Sequence, residues 1–225
     1  MKNSLRQNKS ENASVNQAFF SVIITAYNRA NLISRAIESL VTQSERDWEA
    51  IIVDDGSTDD IYSRILPYLN SYPEIKYTIQ PHQGLVAAKN CGLRFATARF
   101  ITFLDSDDEF DPIHLESRKL ILIQNPAVKF LYGGVKIIGN QYVPDRFDPS
   151  KKVNLADCII GGTFFIERTT AMSLNGFRDI FYGEDSDLFD RAKNMGIPIM
   201  ETSKPTYIYH HETEDSITNK LAANL

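Results

Sequence analysis

Four short runs in the first half of the chain, residues 20–25, 50–53, 75–79 and 100–104, are rich in Ile, Val and Phe and are separated by segments with helical spacing. Runs of this length and composition read as strands, the apolar ones buried on both faces. After the first run, Leu32, Ile33, Ala36, Ile37, Leu40 and Val41 form one broad helical face, with Asn31 placed to cap it. Further helices are expected over about 61–69 and 85–96. Parallel strands require long crossovers, and helices supply them. The rhythm predicts an α/β fold: a mainly parallel sheet flanked by helices.

Beyond Pro112 the pattern loosens. Pro112 is placed to open a helix reaching about residue 124. A strand over 128–132, a hairpin through Gly139-Asn140, a strand over 163–166 and a helix over 184–195 follow. There is no internal repeat and no interdomain linker. The 225 residues suit one domain over 18–225, with a nucleotide-binding half (18–108) and a cleft-shaping half (109–225). Residues 1–17, rich in Asn, Ser, Lys and Gln, read as a flexible leader.

Charge and cysteine usage remove several functions. With 24 Lys+Arg against 29 Asp+Glu, the chain lacks the basic excess of a nucleic-acid binder. Cys91 and Cys158 form no Cys-x-x-Cys pair, so neither zinc nor a disulfide framework is supported. No apolar run is long enough to cross a bilayer, and the N-terminus has no signal-peptide core. A cytoplasmic protein without a transmembrane segment is expected.

The fourth strand ends in Asp105-Ser106-Asp107-Asp108. In open α/β sheets, ligands bind just beyond the carboxyl ends of strands. Three carboxylates in four residues repel one another unless a cation lies between them. A hard divalent ion, Mg²⁺ or Mn²⁺, is held by one or two carboxylates and completed by a ligand's phosphates. The bland alternative is that Asp108 or Asp111 caps the following helix.

Phosphate binding by a Gly-x-Gly-x-x-Gly turn or a P-loop is excluded, because neither motif is present. A nucleotide must be held otherwise. Thr25-Ala26-Tyr27-Asn28 and Asp54-Asp55-Gly56-Ser57 end the first two strands and should stand side by side at the same edge. A Tyr ring can stack on a base, and an Asp can accept a base N–H. Turn chemistry explains Asp-Gly-Ser equally well. A second acidic turn, Gly183-Glu184-Asp185-Ser186-Asp187, starts a helix. Acids favour a helix start, but a carboxylate there could also serve as a general base.

Together these motifs resemble the family 2 glycosyltransferases, inverting nucleotide-sugar enzymes of GT-A fold. The matching stretches are Ser21 to Arg29, Val53 to Asp59, Gly84 through Asn90-Cys91-Gly92, Phe103 to Asp108 and Gly183 to Leu188, in family order. The resemblance implies nucleotide contacts from Thr25, Ala26, Tyr27, Asn28, Asp54, Asp55, Gly84, Lys89, Asn90, Asp105 and Ser106, with Asp55 at the base edge. It implies a divalent metal (Mn²⁺ or Mg²⁺) on Asp107 and Asp105, with His210 or His211 as a further contact. It implies Asp185 as catalytic base beside Glu184.

Lys89 stands where Arg often precedes the Asn, so a point charge replaces a bidentate fork. The only tryptophan is Trp48, so the Gln-x-x-Arg-Trp signature of processive members is absent. The implied activity is a single transfer from a nucleotide sugar, UDP-linked, to a hydroxyl of a glycan or lipid-linked acceptor in cell-surface polysaccharide synthesis, peripheral to the membrane. Two alternatives stand beside it. A nucleotidyltransferase making nucleotide sugars would carry a Gly-rich basic loop at Ala26-Tyr27-Asn28-Arg29. A catalytically silent sugar-nucleotide-binding module would have lost Glu184-Asp185, which are present.

Overall fold

A computed structural model of the chain describes residues 17–145, 147–148, 150–180 and 183–212. The expected leader lies outside these residues except for Gln17. In chain order the first half runs β1 (Phe20–Ala26), α1 (Ile33–Val41), β2 (Trp48–Asp54), α2 (Ile61–Ser71), β3 (Ile75–Ile79), α3 (Leu85–Phe95) and β4 (Phe100–Phe103). The second runs β5 (Glu109–Phe110), α4 (His114–Gln124), β6 (Phe130–Tyr132), β7 (Val135–Gly139), β8 (Tyr142–Pro144), β9 (Lys152–Asn154), β10 (Phe165–Glu167), α5 (Arg168–Ser173), α6 (Glu184–Asn194), β11 (Ile199–Glu201) and β12 (Tyr207–His211).

Seven strands form one sheet in the order β11-β6-β10-β4-β1-β2-β3. The strands β4, β1, β2 and β3 are parallel, whereas β10 lies antiparallel between β4 and β6. The expected α/β fold, a mainly parallel sheet between helices, is observed. Alternation along β1 builds two cores: Val22 and Ile24 pack with Ile33, Ile37 and Leu40 on one face, and Ile23 packs with Ala88, Phe103 and Leu188 on the other. Burying both faces is why β1 and β2 read as unbroken apolar runs. No helix among the described residues is long and apolar enough to cross a membrane.

Four local expectations are corrected. Asn31 does not cap α1: its N-cap is Leu32, without a side-chain bond, because Leu32 and Ile33 donate their amides to the Arg29 carbonyl. Pro112 does not open α4, which starts at His114; Asp111 carries the turn, accepting Ile113 N at its carboxylate and His114 N at its carbonyl. The hairpin through Gly139-Asn140 does not form. Instead β7 pairs in parallel with β12, and β8 pairs with β9 in a separate ribbon. The strand expected over 163–166 is Phe165–Glu167, because Gly161–Thr163 wind into a 3₁₀ turn. That turn belongs to the site.

Candidate active site

A cleft of about 1090 Å³ opens beyond the carboxyl ends of β1, β2 and β4. Thr25, Ala26, Tyr27, Asn28 and Asp55 line one side, Asp105, Ser106, Asp107 and Asp108 the floor, and Glu184 and Asp185 the opposite wall. Gly84, Lys89 and His210 also reach it, and the β8–β9 ribbon closes its far end with Val143, Val153 and Leu155. Three of the residues expected at a site, Asp54, Asn90 and His211, do not line it.

Each of those three has another partner. Asp54 holds its own turn, accepting Ser57 N at 2.8 Å and the Tyr77 hydroxyl at 2.7 Å. Asn90 grips Phe177 through two main-chain bonds, donating to its carbonyl at 2.8 Å and accepting its N–H at 2.9 Å. His211 donates from Nδ1 to the Asn140 carbonyl at 2.6 Å. In an extended chain, neighbouring side chains face opposite ways, so His210 meets the cleft and His211 does not.

On the first wall, Asp55 is buried and its carboxylate organises the loop that follows β3. Gln80 Nε2 and Gln83 N donate to one oxygen at 2.7 and 3.0 Å, and His82 Nδ1 and Gly84 N to the other at 2.7 and 2.8 Å. This loop seats the His82 ring on Tyr27, 3.8 Å apart and nearly parallel. His82 carried no sequence signal beyond its place before Gly84. Gly84 takes φ +90°, which favours glycine, and a Cβ there would meet nothing within 4 Å. Asn28 is also left-handed, at φ 53°, and is fixed by its bonds to Ser57 and Thr58.

The floor gathers three carboxyl groups, those of Asp105, Asp107 and Asp108. Burial pushes the Asp105 carboxyl up to about 6; Lys89 opposes the shift, and Asp107, Asp185 and Glu184 add to it. Asp108 is not a helix cap, since it accepts the Tyr207 hydroxyl at 2.7 Å and His210 N at 2.8 Å. Asp107 is anchored by its carbonyl, which accepts from Arg35. His210 Nδ1 donates to Glu212 at 3.0 Å, and its Nε2 lies 3.7 Å from Glu109. Among the described residues, no group of three or more His, Cys, Asp or Glu is arranged to hold a metal by itself.

The opposite wall is built around Lys89, which is 3% exposed. Its ammonium lies 3.1 Å from Glu184 and 2.9 Å from Asp185, over the Phe177 ring. Burial alone would lower its pKa, but Asp185, Glu184 and Asp105 outweigh burial and hold it charged. Glu184 is lowered because Lys89 overcomes its burial, while Asp185 is raised by burial that Lys89 offsets only in part. The second Asp185 oxygen accepts Gly161 N at 3.0 Å. A Cβ on Gly161 would lie 2.3 Å from that carboxylate, so the turn must be glycine there.

A family model described as Glycosyl transferase family 2 matches residues 21–173. The chain is 32% identical over 154 residues to the Escherichia coli UDP-Glc:alpha-D-GlcNAc-diphosphoundecaprenol beta-1,3-glucosyltransferase WfgD, covering 66% of this chain and 60% of that protein. It is 33% identical over 219 residues to the Bacillus subtilis minor teichoic acid biosynthesis protein GgaA, covering 89% and 49%. The chain thus spans about three-fifths or less of the length of these relatives. S. aureus TarS in complex with UDP-GlcNAc superposes with a TM-score of 0.72 at 20% identity, over 90% of this chain and 60% of that one. The mannosyltransferase PcManGT of Pyrobaculum calidifontis, in complex with GDP-Man and Mn²⁺, gives 0.69 at 17%, over 90% and 59%. These two likenesses bear on the fold alone. With the matched segment running from β1 into α5 through the Tyr27–Asp55 wall and the acidic floor, the chain belongs to the family 2 glycosyltransferases.

Proposed function

We propose that the chain transfers one sugar from a UDP-linked donor to a hydroxyl acceptor, with inversion and with a divalent metal. The observation that carries this reading is one cleft with the Tyr27–Asp55 wall on one side, Asp105 and Asp107 below, and Asp185 opposite. The donor set fits a hard cation. The Asp105 carboxyl is raised by burial and further by its acidic neighbours Asp107, Asp185 and Glu184, a crowding of acids that a cation relieves, and a diphosphate can complete the coordination. Asp105 and Asp107 would hold the metal, with His210 beside them. A metal held there supplies positive charge to the diphosphate as it leaves.

The chain's own groups do the rest. Tyr27 offers its ring to the base, and Asp55 holds the loop that frames it. Asp185 takes the proton of the acceptor hydroxyl, whose oxygen attacks the anomeric carbon on the face opposite the departing diphosphate. Burial makes Asp185 a stronger base than a solvated carboxylate, and Lys89 with Gly161 N fixes its orientation. The name of the Escherichia coli relative, which acts on a GlcNAc-diphosphoundecaprenol, supports a lipid-linked acceptor.

The test is incubation with a panel of UDP- and GDP-sugars in Mn²⁺ or EDTA, with a GlcNAc-diphospholipid acceptor, following nucleotide diphosphate release and product anomer. UDP-sugar turnover that needs Mn²⁺ is expected; no donor binding overturns the reading. Asp107→Ala should weaken UDP binding in Mn²⁺ more than about tenfold, 1.4 kcal/mol or more, and leave binding in EDTA unchanged. Asp55→Ala should instead weaken UDP binding with and without metal, by about 1–3 kcal/mol, because it frees the 80–84 loop. Calorimetry separates the two, and equal UDP affinity in the Asp55 variant reduces that residue to a turn.

A further inference from the structure

Tyr207, on β12, packs against the acidic floor from outside the cleft lining, about a hundred positions further along the chain. It is fully buried. Its hydroxyl lies 2.7 Å from Asp108 Oδ2, and 3.4 Å from both Asp105 N and Asp105 Oδ2. A phenol carries one proton, and the short contact takes it, so Asp108 is the acceptor. The lone pairs then accept from Asp105 N. The other Asp108 oxygen accepts His210 N at 2.8 Å. The third acid of the floor is therefore committed to β12, and it sets His210 in register with Asp105.

The ring itself has no freedom. A Cβ on Gly162 would lie 2.2 Å from the hydroxyl and from Cζ, and Phe110 and His114 pack against the other edges. The hydroxyl therefore sits at a fixed point between the two acids.

We propose that Tyr207 is a positioning residue of the metal side: through Asp108 and Asp105 its hydroxyl fixes the spacing between the Asp105–Asp107 carboxylates and His210. The proposal rests on the metal-dependent reading above. A tyrosine that only fills the core would affect stability and nothing else. Tyr207→Phe keeps the ring and its contact with Gly162 and deletes the hydroxyl. UDP affinity in EDTA should be unchanged, whereas Mn²⁺ affinity of the UDP complex, read by electron paramagnetic resonance of free Mn²⁺, should fall about tenfold. Equal Mn²⁺ affinity in parent and variant overturns the proposal, whatever the melting temperature does. If Tyr207→Phe does not fold, Asp108→Asn gives the same reading, since an amide oxygen cannot serve both Tyr207 and His210 as the carboxylate does. A parent protein that binds UDP equally with and without Mn²⁺ refutes the metal reading itself, and the role of Tyr207 falls with it.

Discussion

The Asp185→Asn variant is expected to turn over about 10²–10⁴ times more slowly than the parent at unchanged UDP affinity. The substitution keeps the size of the side chain and one oxygen that can accept Gly161 N, so the helix start should hold. Lys89 retains Glu184 as its partner. What disappears is the acid of that wall whose pKa burial still raises after Lys89 has offset part of the shift. Single-turnover kinetics beside calorimetric UDP binding separates chemistry from affinity. Near-normal turnover would make Asp185 a structural acid and send the search for the base elsewhere.

The second large effect is on stability. Lys89→Met should destabilise the fold by about 3–5 kcal/mol, since it leaves two carboxylates in a buried wall without their cation. For a domain of this size that corresponds to a melting temperature lower by roughly 6–20 °C. The deficit has a pH sign. Without Lys89, burial raises the pKa of both Glu184 and Asp185, and groups raised in the folded state withdraw stability as pH rises through their folded pKa. The deficit should therefore be largest at neutral pH and narrow on acidification. Melting curves of parent and variant from pH 7 to pH 5 check this, and a gap that is constant with pH removes Glu184 and Asp185 as its cause.

How far the sequence could be read depended on how local the governing forces are. β1, β2 and β4 are buried on both faces and carry their own apolar signature, so they were legible. β5, β8, β11 and β12 are two to five residues long, and long-range pairing decides them. β10 has an ordinary strand composition, and nothing in Phe165-Ile166 encodes that it runs against β4. The acidic strand end and the acidic helix start were legible as motifs, and the fold brings both to one cleft. Asp55 rather than Asp54 was picked for the base edge and does line the cleft, but which of His210 and His211 faces it was not legible, since the two differ only in the side of the strand from which they project. Lys89 was expected at the nucleotide, yet its ammonium lies between Glu184 and Asp185, a meeting of residues 95 and 96 positions apart. Tyr207 carries no signal in the sequence, because only its distant partners make its hydroxyl matter.

The antiparallel insertion of β10 bears on how the chain is assembled as it leaves the ribosome. Domains order from the N-terminus as they emerge, and β1 to β4 can pair through nearby crossovers. The next strand of the large sheet to be made, β6, has its place one position further out. Until Phe165–Glu167 arrives, β4 presents an open apolar edge, of the kind that recruits strands from other chains. A chain stopped before Phe165 keeps that edge, so the first half cut out on its own carries an aggregation hazard that the full sheet removes.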